Sequence, residues 1–223
     1  MPSVLPWRLA GEDVELLADK ALYWPSRAML LLADLHIGKA AAFRAAGQPV
    51  PHGTTAAALA RLDALLATRS VRQLVVLGDF LHARAGRAPR TMAALQSWRE
   101  RHAGLALVLV RGNHDRHAGD PPAALGVQVL PEPWLVGPFA LQHEPRPHAS
   151  HHVLAGHVHP VVRLAGRGAE RLRLACFCLD PGVTTLPAFG EFTGGFEVEP
   201  RPGRALVVVG GGGVWPVPRA ERG

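Results

Sequence analysis

Seven side chains able to bind a metal stand where apolar runs of this sequence stop. LLLADLH stops at Asp34 and His36, LVVLGDF at Asp79, and LVLVRGN at Asn113, with His114 and Asp115 next to it but outside the seven. FALQHE stops at His143, and VLAGHVH at His157 and His159. Two carboxylates, four imidazoles and one amide oxygen exceed one tetrahedral zinc site and suit two metals that share a bridging carboxylate. No thiolate belongs to the set, which argues against structural zinc, and mixed oxygen and nitrogen donors fit manganese, iron or zinc. Asn113 can offer a neutral oxygen to a cation without adding charge. His114, expected to point elsewhere, is then free for proton chemistry, and Asp115 could orient it or keep it protonated.

Taken singly, the motifs differ in weight. GD after a strand is usually only a turn, and DLH alone says little more. GNHD says more, because turn chemistry accounts for its Gly and Asn but not for its His and Asp. GHVH could be a solvated strand face. It is the ordered set of five strand ends that has no structural account. In open α/β sheets ligands bind at the C-terminal edge of the strands. The i,i+2 spacing of Asp34 with His36 and of His157 with His159 is expected to put each pair on one face of an extended chain.

Those strand ends need a frame. AMLLLADLH, QLVVLGDF and LALVLVRGN read as buried strands by length and apolar continuity. TTAAALARLDALLATRS between the first two has helical periodicity, with Thr54 or Thr55 as N-cap. PRTMAALQSWRERHAG is a second helix that Gly104 is expected to end. Strand, helix, strand, helix, strand argues for parallel pairing through right-handed crossovers. Beyond residue 126, runs such as VQVL, PWLVGPFALQHE, HVLAGHVHPVVRLAG, RLRLACFCLD and ALVVVG predict a second, mixed or antiparallel sheet. GGGG at 210–213 is expected to be a flexible turn, and the tail from about 218 to fray. Residues 1–223 are read as one domain of two packed sheets, and Trp98 and Trp134 as core.

Composition narrows the class. In 223 residues, 48% hydrophobic, there is enough apolar matter for a core, and no run long enough for a membrane span. The N-terminus shows no secretory signal pattern, and Cys176 and Cys178, two apart, are read as reduced core thiols in a cytoplasmic protein. The net charge of +6 favours polyanionic partners such as nucleic acid, though Arg-rich composition explains it equally well.

The order D-x-H, G-D, G-N-H-D, H, G-H-x-H resembles the calcineurin-like metallophosphoesterase superfamily. ADLHIGKAAAFRAAGQPVP, GDFLHARAG, RGNHDRHAGDPP, LAGHVHPVVRL and LPAFGEFTGG are similar, more narrowly, to the bacterial ligase-associated DNA damage response endonucleases, the PdeM or MPE family. The resemblance implies an α/β fold, a four-layer αββα sandwich of two packed mixed sheets flanked by helices. It implies that Asp34, His36 and His159 hold one metal, that Asn113, His143 and His157 hold the other, and that Asp79 bridges them. It further implies a manganese-dependent phosphodiesterase that nicks DNA in repair, with iron or zinc as other possible metals. Its members are encoded beside a helicase, an exonuclease and a DNA ligase, which are the partners to expect.

Water activated between the metals is expected to attack phosphorus in line, with His114 at the departing oxygen. Lys39 and Arg44, after the first motif, could contact DNA phosphates or form a solvated helix face, and the solvated face is favoured. His82, Arg84 and Arg87 follow the second motif in a loop near the metals and are better placed for phosphate, as are Arg116 and His117. His148, His151 and His152 are read as a loop cluster rather than further ligands. LPAFGEFTGG could wall the cleft or only close the core. The alternative is a metallophosphatase or phosphodiesterase for nucleotides or other small phosphoesters. A binding scaffold without chemistry is disfavoured because every ligand and the GNHD histidine are present.

Overall fold

The computed structural model describes residues 2–50, 53–165, 171–191 and 193–218, so the tail beyond 218 lies outside the described residues. Two sheets face one another. The first orders seven strands as they come in the chain: β1 (Val4–Leu9), β2 (Glu12–Leu17), β3 (Ala21–Trp24), β4 (Met29–Ala33), β5 (Gln73–Leu77), β6 (Ala106–Val110) and β7 (Val127–Leu130). Pairing is antiparallel from β1 to β4 and parallel from β4 to β7. The parallel connections carry α1 (Lys39–Ala45), α2 (Thr54–Ala67), α3 (Pro89–Arg101) and α4 (Asn113–Ala118).

The second sheet has nine strands. They are β8 (Trp134–Val136), β9 (Phe139–Leu141), β10 (His152–Ala155), β11 (Pro160–Ala165), β12 (Arg171–Asp180), β13 (Val183–Thr185), β14 (Phe196–Glu197), β15 (Ala205–Gly210) and β16 (Gly213–Pro216). The sheet is mixed: β9, β10 and β13 run parallel, whereas β12 pairs antiparallel with β11, β13 and β15. Among the described residues no α-helix follows β7, so the flanking helices all belong to the first-sheet half.

The side-chain alternation of each central strand explains why its sequence reads as unbroken apolar. Met29, Leu31, Val75, Leu77, Val108 and Val110 meet Phe139, Leu141, Leu154 and Phe177 between the sheets. Their neighbours Leu30, Leu32, Leu74, Val76 and Leu109 pack under Leu59, Leu62, Leu95 and Trp98 of α2 and α3. Strands buried on both faces need apolar residues at every position. Cys176 and Cys178 lie on the other face of β12 among Val162, Leu206 and Val208, as free, buried thiols. Trp134 is half-buried and packs against the inter-sheet core.

The structure corrects several expectations. Val127–Leu130 joins the first sheet, parallel to β6, because the short α4 crossover leaves that edge open. The N-cap of α2 is Gly53, in the left-handed region at φ 90°, and Thr54 is already helical. Helix α3 is capped at His102, two residues before Gly104, where Arg99 bonds the chain leaving the helix and also donates to the Leu125 carbonyl at 2.8 Å. The glycines at 210–213 close the β15–β16 hairpin, with Gly210 paired to Gly213. Strands β1 to β3 lie outside the elements that the apolar runs predict. β1 and β2 mix exposed, half-buried and buried positions too irregularly for a clear period-two signal, and β3 is buried throughout.

Candidate metal centre

All seven predicted ligands follow a strand end directly. Asp34 and His36 follow β4, Asp79 follows β5, Asn113 follows β6, His143 follows β9, and His157 and His159 follow β10. Three parallel strands of one sheet and two of the other therefore aim their C-terminal ends at one place. Asp34, His36, Asp79, His157 and His159 all have left-handed backbones, with φ of 53°, 47°, 53°, 69° and 50°. This corrects the reading of the i,i+2 pairs as one face of an extended chain. Each ligand turns back over the sheet edge as the chain leaves the strand, and such residues cost about 1–3 kcal/mol each, so their surroundings must hold them. Backbone bonds do part of that: His36 donates to Asp79 O at 2.8 Å, Ile37 to Phe80 O at 2.9 Å, and Gly190 to Asp34 O at 3.0 Å.

The side chains gather in two groups. Nε2 of His159 lies 3.4 Å from both Nε2 of His36 and Oδ1 of Asp34. Nε2 of His143 lies 2.7 Å from Oδ1 of Asn113 and 3.0 Å from Nδ1 of His157. Asp79 stands between the groups: Oδ2 is 3.6 Å from Nε2 of His36, and Oδ1 is 3.6 Å from Nε2 of His143. Asp34, Asp79 and His143 also come within a common 4.8 Å, so Asp34 faces both groups.

The donor set fits cations. Oδ1 of Asp34 is buried and has no hydrogen-bond partner, while Oδ2 accepts the His157 N–H at 2.9 Å. An unpaired carboxylate oxygen in the interior is costly unless a charge meets it. The imidazoles are oriented for the same purpose. Nδ1 of His143 donates to Leu77 O at 3.2 Å and Nδ1 of His159 to Thr193 O at 2.9 Å, so Nε2 of each keeps its lone pair for the centre. Burial, then the charges of Lys39 and the neighbouring imidazoles, pulls His36 down to about 2, which keeps it neutral and able to ligate. Burial pushes Asp79 above the ordinary carboxyl value; His143 opposes that and the charge of Asp34 adds to it. Burial also works against the charged form of His159, but the adjacent Asp34 carboxylate outweighs it and holds this imidazole above its ordinary value.

The glycines of two motifs make room for ligands. A Cβ on Gly78, at φ 77°, would collide with the His143 ring, and one on Gly112 would come 2.5 Å from Oδ1 of Asp79.

Asn113, His114 and Asp115 form the first turn of α4 rather than a loop. Asp115 does not orient His114. Its carboxylate is buried and accepts the backbone N–H groups of Asp79, Phe80 and Gly112 at 2.8, 2.9 and 2.9 Å, with Leu81 at 3.4 Å. It therefore ties the Asp79 loop to the turn that carries Asn113, reaching back to its own N-cap as a capping carboxylate does. His114 is oriented from elsewhere, its Nδ1 lying 3.2 Å from the carbonyl oxygen of His82. That leaves Nε2 facing the centre, 4.0 Å from Oδ2 of Asp79, in a side chain 42% exposed.

The remaining candidates separate. His82 stands in the site, stacked on His114 with ring centroids 5.3 Å apart and Nδ1 3.4 Å from Nδ1 of His36. Lys39 is half-buried; burial pulls its ammonium below the ordinary value, and the nearby carboxylates of Asp79 and Asp34 only partly oppose that. Arg44 donates to Val50 O at 3.5 Å. Arg84 and Arg116 are exposed, on the single turn Arg84–Gly86 and on α4. Arg87 is structural, its guanidinium bonded to the carbonyls of Gly119 and Asp120. His148 and His151 pack their rings together at 5.0 Å and His152 pairs with Thr184, apart from the centre. Within LPAFGEFTGG, Phe189 is wholly buried and the Thr193 carbonyl holds His159, so the run both closes the core and walls the site; Phe192 lies outside the described residues. The sequence offered no signal for Thr193 or for Glu132, whose carboxylate accepts the His143 N–H at 2.7 Å, because one acts through its backbone and the other from eleven residues away.

No family model and no curated protein matches the chain. Among solved structures, the Pseudomonas putida nuclease MPE is 56% identical, covers 96% of this chain and 100% of its own, and superposes with a TM-score of 0.86. Yfce, a phosphoesterase from E. coli, is 18% identical over 82% of this chain and 88% of its own, with a TM-score of 0.38. The chain belongs to the family of the nuclease MPE, and it is a hydrolase.

Proposed function

We propose that this protein is a dinuclear, manganese-dependent phosphodiesterase that acts as a DNA endonuclease in bacterial DNA repair. One observation carries the metal reading above the others: Asp79 directs one oxygen to each of two ligand groups. Asp34, His36 and His159 would hold one cation, and Asn113, His143 and His157 the other. Two divalent ions there would supply water activated for in-line attack and neutralise charge on the phosphate. Everything else falls to the chain itself. His114, fixed through Nδ1 by the His82 carbonyl, presents Nε2 where it can hand a proton to the departing oxygen. Lys39 and His82 border the centre on the side of α1 and are the residues best placed for a substrate phosphate.

DNA as the substrate is supported by the likeness to a nuclease and by the net charge of +6. The helicase, exonuclease and ligase of a repair operon are proposed partners on the family's account alone. The test is nicking of closed circular DNA by metal-stripped protein given manganese, magnesium or zinc. Internal nicks with manganese that vanish in Asp79→Ala support the reading. Intact DNA with rapid hydrolysis of a small phosphomonoester would assign the protein to the phosphatases.

A further inference from the structure

Phe196 is the most exposed large apolar side chain among the described residues, at 66%. Its position is unusual for such a residue. Strand β14 is only Phe196–Glu197, and it is joined parallel to β11 with Phe196 opposite Pro160. The Phe196 N–H donates to the carbonyl of His159, a metal-ligand candidate, at 3.1 Å. Val158, between the ligands His157 and His159, lines the same groove as Phe196, and so does Pro145, two residues beyond His143. The groove encloses about 690 Å³, is walled also by Pro160 and Pro181, and ends at Arg201, whose guanidinium pairs with Asp180 at 2.9 Å.

We infer that this groove is a base-binding subsite, in which Phe196 stacks a nucleobase of the substrate strand next to the scissile phosphate. The inference rests on the DNA reading above. A strand cleaved at the metals must continue across the surface on one side of them, and this groove begins at Pro145 and Val158, which neighbour His143, His157 and His159 in the chain. Its walls are an aromatic face and flat proline rings near the centre, which suit the π-face of any base without reading its edge. Of its charged groups, Glu197 beside Phe196 pairs with Arg163, while Arg201 and Arg204 hold the carboxylate of Asp180. Phe196 thereby acts as a positioning residue: it sets which phosphate of a bound strand lies over the metals.

The test compares wild type, Phe196→Ala and Phe196→Trp on one DNA oligonucleotide, on copies carrying a single abasic site at successive positions, and on bis(p-nitrophenyl) phosphate. Phe196→Ala should raise KM for DNA about tenfold, the order expected from one lost base–aromatic stack, and lose far less on the small diester. The tryptophan variant should restore DNA cleavage. One abasic position beside the cleavage point should cost wild type as much as the alanine change does, and should add nothing to it in the variant. Equal DNA cleavage by wild type and Phe196→Ala overturns the subsite, leaving the endonuclease reading intact. So does a loss in equal proportion on DNA and the small diester. If wild type hydrolyses the small diester but leaves DNA whole, the DNA reading fails and the subsite falls with it.

Discussion

At the scale of single residues, the proposed function divides labour between groups that would hold metal and one that would move a proton. Asp79 touches both ligand groups, whereas the His114 ring keeps Nε2 4.0 Å from Oδ2 of Asp79 on the open side and is held through its other nitrogen by a backbone carbonyl. Asp79→Ala should therefore lose metal from both positions. His114→Ala should keep the metal content of wild type and slow turnover by about 10²- to 10⁴-fold, the usual contribution of a positioned acid or base. Metal analysis of the purified variants beside steady-state rates decides this. Equal metal loss in both variants would contradict the division. The convergence of these seven residues was legible in the sequence because metal chemistry admits few residue types, and those types recur at strand ends. The partner of His114 was not legible, since it is a carbonyl, which every residue possesses.

At the scale of elements, the strand ends position the ligands, and the loops beyond them carry the strain. The alternation of strand and helix from β4 to β6 could be read from apolar continuity and helical spacing. The left-handed conformations of Asp34, His36, Asp79, His157 and His159 could not. A non-glycine residue enters that region only when its surroundings compel it, and those surroundings come from distant parts of the chain. Asp115 shows the same limit. In the sequence it stands beside His114 and suggests a catalytic pair, but folding turns it inward as the acceptor for four backbone N–H groups of two loops. Asp115→Asn replaces one accepting oxygen with a donor that faces N–H groups. It should lower stability by about 1–3 kcal/mol in urea unfolding and weaken metal binding through Asp79, without any contact to metal of its own. Unchanged stability with normal metal affinity would remove Asp115 from this role.

At the scale of the whole molecule, two sheets of different make-up meet at one edge, and neither alone supplies a complete centre. The first contributes Asp34, His36, Asp79 and Asn113, and the second His143, His157 and His159. Global stability should thus matter directly to activity. The second sheet is fastened at its far end by Asp180: burial opposes its charge, but Arg204 and Arg201 outweigh that and hold the carboxyl below its ordinary value. Such a group stabilises the fold above the ordinary value of 3.8, and its contribution is lost as pH falls through the lowered one. Asp180→Asn should flatten the acid limb of the stability curve, as followed by thermal unfolding between pH 6 and about 3, and an unaltered limb would assign acid sensitivity to other carboxylates. Buried Cys176 and Cys178, their thiols pushed up to about 12 by burial, belong to the packing of that sheet and not to its chemistry. The central claim is that one carboxylate joins two cations across the two sheets. Electron paramagnetic resonance of the protein reloaded with manganese tests it most directly. The geometry predicts two manganese ions per chain with an exchange-coupled spectrum that collapses in Asp79→Ala; a single, uncoupled manganese signal in wild-type protein at saturating metal would contradict it.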